Sequence, residues 1–335
     1  MSGKTGGSTR RMDQIMRTCE RKTIGYRLLA IGYWLFSAVK LLVTSDLHLV
    51  RVWRPIVLAK LAQWVREVAP DALLIAGDIA VAAEAETALR ELRRVFPHGP
   101  IIVALGNHDF WGGATGGCRT LEATIDRFWQ APAQRYNVTL LDQENFAFGE
   151  VLFVGGYGHY DLGFAVPGLR YEGKIVTQDH YLHGRLPIET PLRWRDFDWL
   201  PGAANLLAIA RAQVEAVQSR ILATDSSRIF LTSHTPPFEE LLGIPDASML
   251  DPENPPIRAF FRAYLGNRAM GEMLRLNSAR IAAVVCGHTH RTVAPIDLGG
   301  FTGVNVGSDY GEPRALVVDT EGPTARISPI TELVV

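Results

Sequence analysis

From residue 40 onward, short unbroken apolar runs alternate with longer stretches whose apolar residues recur at helical intervals. KLLVTS (40–45), ALLIAG (72–77), IIVALG (101–106), RIFLTS (228–233) and IAAVVCG (281–287) are apolar at successive positions, which predicts strands buried on both faces. Between them, 55–68, 83–96, 202–222 and 257–276 predict helices; in the first, Ile56, Leu61, Val65 and Val68 recur at near-helical spacing. NFAFGEVLFVGG (145–156) predicts a hairpin, and GFTGVNVGS (300–308) and RALVVD (314–319) predict closing strands. The alternation is that of βαβ units and predicts an α/β fold.

Two stretches break the rhythm. Residues 157–200 are rich in aromatics, glycines and arginines and show little periodicity, as in Tyr157, Tyr160, Phe164, Tyr171, Tyr181, Trp194, Phe197 and Trp199. A long irregular segment inside a compact domain is usually functional or mobile. We read it as an insertion over one face that shapes a substrate pocket, favouring a substrate with a base, ring or acyl part. The proline-rich 235–257 joins it. Ahead of the repeating pattern, residues 1–39 form an extension in which Leu28 to Val39 is uncharged and apolar. That is short of the ~20 residues that span a bilayer, and no A-x-A-like cleavage site follows. A packed helical extension, a membrane-surface anchor, an export signal and a native start near Val39 all remain open. The domain proper is placed at 40–335.

What ends each apolar run carries the chemistry. The first stops at Asp46-Leu47-His48, the second at Asp78, the third at Asn107-His108-Asp109, the fourth at His234 and the fifth at His288-Thr289-His290. In open α/β sheets the carboxyl ends of strands gather ligands and catalytic groups. Each polar ending follows a Gly or Ser small enough for a sharp turn. Carboxylate, amide carbonyl and imidazole together suit Mn, Fe, Zn or Ni, and the set exceeds one tetrahedral site. Two divalent metal ions sharing a bridging carboxylate is the economical arrangement. Such a pair clamps the attacking and leaving oxygens of an in-line phosphoryl displacement and makes hydroxide available near neutral pH.

These residues resemble the calcineurin-like metallophosphoesterase superfamily, whose motif series is DxH, GD, GNH(D/E), a lone His and GHxH. All five occur in that order between residues 46 and 290, and GVNVGS (303–308) resembles the family's Asn-x-Gly-Ser segment. The resemblance implies a four-layer α/β/β/α sandwich of two mixed sheets flanked by helices. It implies Asp46, His48 and His290 on one metal, Asp78 bridging, and Asn107, His234 and His288 on the other. It makes His108 the acid or donor at the leaving oxygen, with Asp109 orienting its imidazole. The arginine-bearing features of serine/threonine phosphatases are missing around Asp78 and before Gly106, and Val81 stands where purple acid phosphatases carry a tyrosine ligand. The expected activity is metal-dependent hydrolysis of a phosphomonoester or phosphodiester by a bridging hydroxide, with manganese among the suitable ions. A nuclease or cyclic-nucleotide phosphodiesterase of the same superfamily is the rival enzyme, and a metal-stabilised scaffold without turnover is the rival of another class.

Composition trims the remaining classes. Of 335 residues, 47% are hydrophobic and the net charge is −1, so nothing global draws the chain to nucleic acid. Eight basic against two acidic residues through position 40 give that stretch +6 and leave −7 for the rest, which argues against a basic nucleic-acid channel and allows weak membrane-surface contact at residues 1–40. Cys19, Cys118 and Cys286 are too few for a disulfide framework, so a reducing, cytoplasmic setting is expected, with a small phosphoester as the partner and no obligate protein partner. Cys286 lies within an apolar run and is expected as a buried hydrophobe. His159, His180 and His183, with Arg170, Arg185, Arg193 and Arg195, are expected as ordinary polar residues of the insertion. P-loop, dinucleotide-turn and nucleophile-elbow patterns fail at Glu272-Met273, after Gly158 and at Val306.

Overall fold

The computed structural model describes residues 39–320 and 326–329, so the expected extension, apart from Val39, lies outside the described residues. In chain order the strands are β1 (Lys40–Thr44), β2 (Ala72–Ala76), β3 (Ile101–Ala104), β4 (Val138–Leu140), β5 (Phe146–Phe148), β6 (Val151–Gly156), β7 (Arg170–Tyr171), β8 (Lys174–Ile175), β9 (Ile229–Ser233), β10 (Ile281–Cys286), β11 (Val293–Asp297), β12 (Thr302–Asn305), β13 (Ala315–Asp319) and β14 (Arg326–Pro329). The longer helices are α1 (Arg54–Val68), α2 (Ala85–Val95), α3 (Leu206–Leu222) and α4 (Arg268–Leu276). One six-stranded sheet has the order β14-β13-β1-β2-β3-β4 and the other β11-β12-β10-β9-β6-β5. Parallel strands fill the centre of each, and the antiparallel pairings lie toward the edges.

Strand periodicity turns the unbroken apolar runs into layers. Side chains alternate between the two faces of a strand. In β1, Leu42 joins a cluster with Val57, Leu61 and Trp64 of α1, whereas Leu41 and Val43 join one with Phe153, Phe230 and Val285 of the opposite sheet. In β10, Val284 and Cys286 pack with Val217, Ile221, Met270 and Leu274 of α3 and α4, while Ala283 and Val285 face the first sheet. Every central strand thus separates a helix–sheet core from a sheet–sheet core. The result is the expected sandwich of helices, two mixed sheets and helices.

Several elements depart from the expected pattern. The helix expected over 257–276 divides into a 3-10 helix, Ile257–Tyr264, and α4. Asn267 makes the break by capping α4, its side chain accepting from the Met270 N–H at 2.8 Å. A helical segment over 121–135, with a π-helical turn at Ile125–Trp129, was not expected; it is assembled from short pieces and contains Pro132. Strand β11 carries Pro295 and shifts register against β12, as an edge strand tolerates.

The aromatic insertion is more buried than its composition suggests. Its tyrosines do not wall an open pocket: Tyr157, Tyr160, Tyr171 and Tyr181 are buried. Tyr160, Tyr171 and Tyr181 form a core of their own with Phe260 and Tyr264. Of the insertion's tryptophans, Trp199 is the exposed one, at 36%. His159 is buried, whereas Arg170, Arg193 and Arg195 form surface ion pairs with Glu253 and Asp198, as expected of ordinary polar residues. Among the described residues no helix is long and apolar enough to cross a membrane.

Leu74, fully buried between the sheets, should cost about 2–5 kcal/mol of unfolding free energy when changed to Ala. Leu222→Ala, at a 63% exposed position, should stay within about 0.5 kcal/mol. Equal losses in urea denaturation would contradict the layer assignment.

Candidate metal centre

The loops that leave β1, β2, β3, β9 and β10 converge at one edge of the sandwich. Backbone bonds extend the sheet pairing into them: Asp46 N–H donates to Gly77 O at 2.9 Å, His48 N–H to Asp78 O at 2.8 Å and Gly287 N–H to His234 O at 3.0 Å. The turns are tight enough to force Asp46, His48, Asp78, His288 and His290 into the left-handed region, with φ between 41° and 69°. Such backbone strain in non-glycine residues persists only where surrounding structure dictates it, and it concentrates at functional sites.

The glycines before these residues act mainly through space. Gly77 does need its φ of 84°, as expected for a turn. A Cβ on Gly77 would nevertheless overlap the His234 ring, one on Gly106 the Asp78 carboxylate, and one on Gly287 the Asp46 carboxylate. Each glycine therefore lets a side chain from another strand approach the backbone. That close approach, rather than a turn alone, accounts for Gly106 and Gly287.

Two groups of electron-pair donors meet at Asp78, which is 1% exposed. In the first, His234 Nε2 lies 3.1 Å from Asn107 Oδ1, 3.2 Å from His288 Nδ1 and 3.4 Å from Asp78 Oδ1, and Asn107 Oδ1 lies 3.1 Å from His288 Nδ1. In the second, His48 Nε2 lies 3.3 Å from His290 Nε2 and 3.7 Å from Asp78 Oδ2, and His290 Nε2 lies 3.7 Å from Asp46 Oδ1. The ligand atoms of Asp46, His48, Asp78 and His290 all fall within 4.8 Å of one another. One Asp78 oxygen faces each group.

The far side of each ring decides what the near side presents. His234 Nδ1 sits 2.9 Å from the Ala76 carbonyl and His288 Nε2 3.0 Å from the Tyr264 carbonyl. A carbonyl oxygen only accepts, so those nitrogens carry hydrogen and the opposite ones, in the neutral rings, offer lone pairs. His290 Nδ1 likewise faces Asp309 Oδ1 at 2.8 Å. Asn107 donates through Nδ2 to Asp196 at 3.0 Å, which leaves its oxygen pointing inward. Asn107 Oδ1 and His288 Nδ1 thus present acceptors to each other, an arrangement that repels unless a proton or a cation lies between. The donor set, imidazole nitrogen with carboxylate and amide oxygen, fits divalent transition metals.

The electrostatics agree. Burial pushes the Asp46 carboxyl up and would do the same at Asp78, but at Asp78 the charge and hydrogen bond of His234 lead the effects that outweigh it and hold the carboxyl well below its ordinary value. Burial pushes His48 and His288 down to about 3, so both rings are neutral at physiological pH. Burial would also lower His234, yet Asp78, Asp46 and the Ala76 carbonyl raise it to about 10. Without a cation, His234 holds a proton at neutral pH.

His108 and Asp109 stand apart from both groups. The His108 imidazole stacks on Trp111 at 3.8 Å, edge-on to His48, with Nε2 4.0 Å from Asp78 Oδ2 and its side chain 17% exposed. Asp109 does not orient that imidazole as expected. Its Oδ1 accepts the Ile79 and Ala80 N–H groups at 2.8 and 2.9 Å, and its Oδ2 accepts the Gly106 N–H at 2.7 Å. Buried completely, the carboxylate laces the β2 and β3 loops together, and its position one residue past His108 says nothing of which way it points. Cys286 is buried in β10 as a hydrophobe, as expected.

Sequence reasoning missed several neighbours. Tyr310 stacks on His48 at 4.2 Å, Asp309 supports His290, and Asn305 Nδ2 donates to the Gly287 carbonyl and to Thr289 Oγ1. Asn305, Asp309 and Tyr310 lie in or just after the Asn-x-Gly-Ser segment, which was a usable signal. Asp196, from the insertion, had none.

Residues 39–292 match the family model described as calcineurin-like phosphoesterase. No match was found among proteins of curated function. Among solved structures, the phosphopantetheinyl hydrolase from Mycobacterium tuberculosis is similar at a TM-score of 0.54 and 20% identity, covering 85% of this chain and 96% of that one. TT1561 of Thermus thermophilus is similar at 0.50 and 14%, covering 88% and 100%. At these identities the likeness is one of fold.

Binding of Mn²⁺ to the metal-free protein at pH 7 should release about one proton, displaced from His234, so affinity should rise as pH climbs toward 10. Titration calorimetry in two buffers of different ionisation enthalpy reads this; identical enthalpies would refute it. Gly106→Ala, which drives a methyl into Asp78, should weaken metal binding at least tenfold. Unchanged binding would show that Asp78 has room to move.

Proposed function

The chain belongs to the calcineurin-like phosphoesterase family, and from that premise we propose that it hydrolyses a phosphomonoester or phosphodiester with two divalent cations held on either side of Asp78. Asp46, His48 and His290 would hold one cation and Asn107, His234 and His288 the other, with one Asp78 oxygen given to each. The observation that carries this reading is the convergence of carboxylate, amide-oxygen and imidazole groups on both faces of Asp78. When bound, such ions supply Lewis-acid stabilisation of the phosphoryl charge and acidify water near neutral pH.

The chain's own contribution is placement. His108 belongs to neither donor group yet borders Asp78, and its backbone N–H is anchored on Asp78 Oδ1 at 2.8 Å. Its ring, held by Trp111 and partly open to solvent, is the proton donor to the leaving oxygen. Half-exposed Trp111 and exposed Tyr310 border it, and exposed Trp199 stacks on Trp111 behind, which supports a leaving group with an apolar or planar part.

Purified protein with Mn²⁺ should hydrolyse bis-p-nitrophenyl phosphate or p-nitrophenyl phosphate, and the ratio of the two rates separates diester from monoester preference. His108→Ala should lower turnover by about 10²–10⁴-fold while binding the same amount of metal. No turnover with Mn, Fe, Zn or Ni would return the scaffold reading, and full activity in the variant would remove His108 from the reaction.

A further inference from the structure

Asp196 is a buried carboxylate, 1% exposed, that opens the short helix Asp196–Trp199 of the aromatic insertion. Among the described residues no lysine or arginine pairs with it. Four neutral donors surround it instead. Its Oδ1 accepts from Asn107 Nδ2 at 3.0 Å and Trp111 Nε1 at 2.7 Å, and its Oδ2 accepts from Trp194 Nε1 at 3.1 Å and the Tyr160 hydroxyl at 3.3 Å. The oxygen toward the metal centre serves the residues after β3; the other serves the core of the insertion.

The consequence lies in the symmetry of a primary amide. The two ends of the Asn107 side chain have nearly the same shape, so packing alone discriminates poorly between oxygen inward and nitrogen inward. A carboxylate, which only accepts, behind the amide does discriminate: it selects Nδ2 on its own side and turns Oδ1 toward His234 and His288. We propose that Asp196 is a positioning residue that holds Asn107 with its oxygen facing the second donor group, and so ties that half of the centre to the insertion. Partners that orient metal ligands commonly change metal affinity or activity by about 10–100-fold when removed.

This rests on the reading of Asn107 as a ligand, and the test separates the two. Metal-free protein is titrated calorimetrically with Mn²⁺, with far-UV circular dichroism reporting the fold. Asp196→Asn should bind one equivalent like wild type and the other about 10–100-fold more weakly. Tyr160→Phe, which removes a donor to the other carboxylate oxygen and leaves the Asn107 bond in place, should keep both equivalents within about tenfold of wild type. If Asp196→Asn keeps both equivalents at wild-type affinity while Asn107→Ala loses one, Asp196 has no positioning role and the ligand reading stands. If Asn107→Ala loses none, the ligand reading itself falls, and this assignment with it. Should Asp196→Asn fail to fold, NMR of the Asn107 side-chain amide in the wild-type protein decides: Nδ2 protons protected from exchange support the assignment, and protons that exchange as in a free amide overturn it.

Discussion

Electron pairs forced to face one another are the constraint on which this molecule turns. Asp78 places one oxygen 3.4 Å from a histidine nitrogen of one group and the other 3.7 Å from a nitrogen of the second. Nothing in that arrangement attracts unless positive charge is present. The surrounding structure is what holds it: carbonyls of Ala76 and Tyr264 and the carboxylate of Asp309 hold the outer ring nitrogens, and Asp46 accepts the His288 N–H at 3.0 Å. Far from the site, packed layers on both faces of each central strand fix where the loops begin.

The cost of that arrangement is visible in the backbone. Five of the candidate ligands have positive φ without being glycine, a state that costs of order 1–3 kcal/mol each. The strain is offset by the buried apolar layers beneath, not by the site itself. It also explains why so much polar lacing surrounds these loops. Asp109, with three backbone N–H donors, and Asn305, under the Gly287 carbonyl, leave the turns little other conformation to relax into.

How much of this was legible before the structure follows from distance along the chain. The strands were readable because burial on both faces leaves an unbroken apolar run, and the ligands because each sits within a few residues of a strand's end. The layer order therefore matched the resemblance, and the candidate ligands come together around Asp78. Orientation was not legible. Asp109 adjoins His108 in sequence, yet its carboxylate points into the β2 loop. Asp196 lies 89 residues from Asn107 and belongs to a segment with no periodicity. The aromatic insertion misled for a related reason: composition records that tyrosines are present, whereas their burial against Phe260 and Tyr264 depends on a partner segment some eighty residues on. The helix over 121–135 escaped because its turns are short and its packing, through Trp129, is tertiary.

The two sheets contribute unequally but jointly to each donor group. Asp46, His48, Asp78 and Asn107 follow strands of one sheet, and His234, His288 and His290 follow strands of the other. A cation held by either group would therefore fasten one sheet to the other at their shared edge, like a rivet through two plates. Beneath it the plates meet mainly through apolar side chains such as Val43, Leu74, Phe153 and Val285, with a few directional bonds such as those from His234 to the Ala76 carbonyl and from Arg228 to the Thr320 carbonyl. A bound ion would then raise the stability of the whole sandwich by mass action. The site would be a fastener of the fold as well as its product.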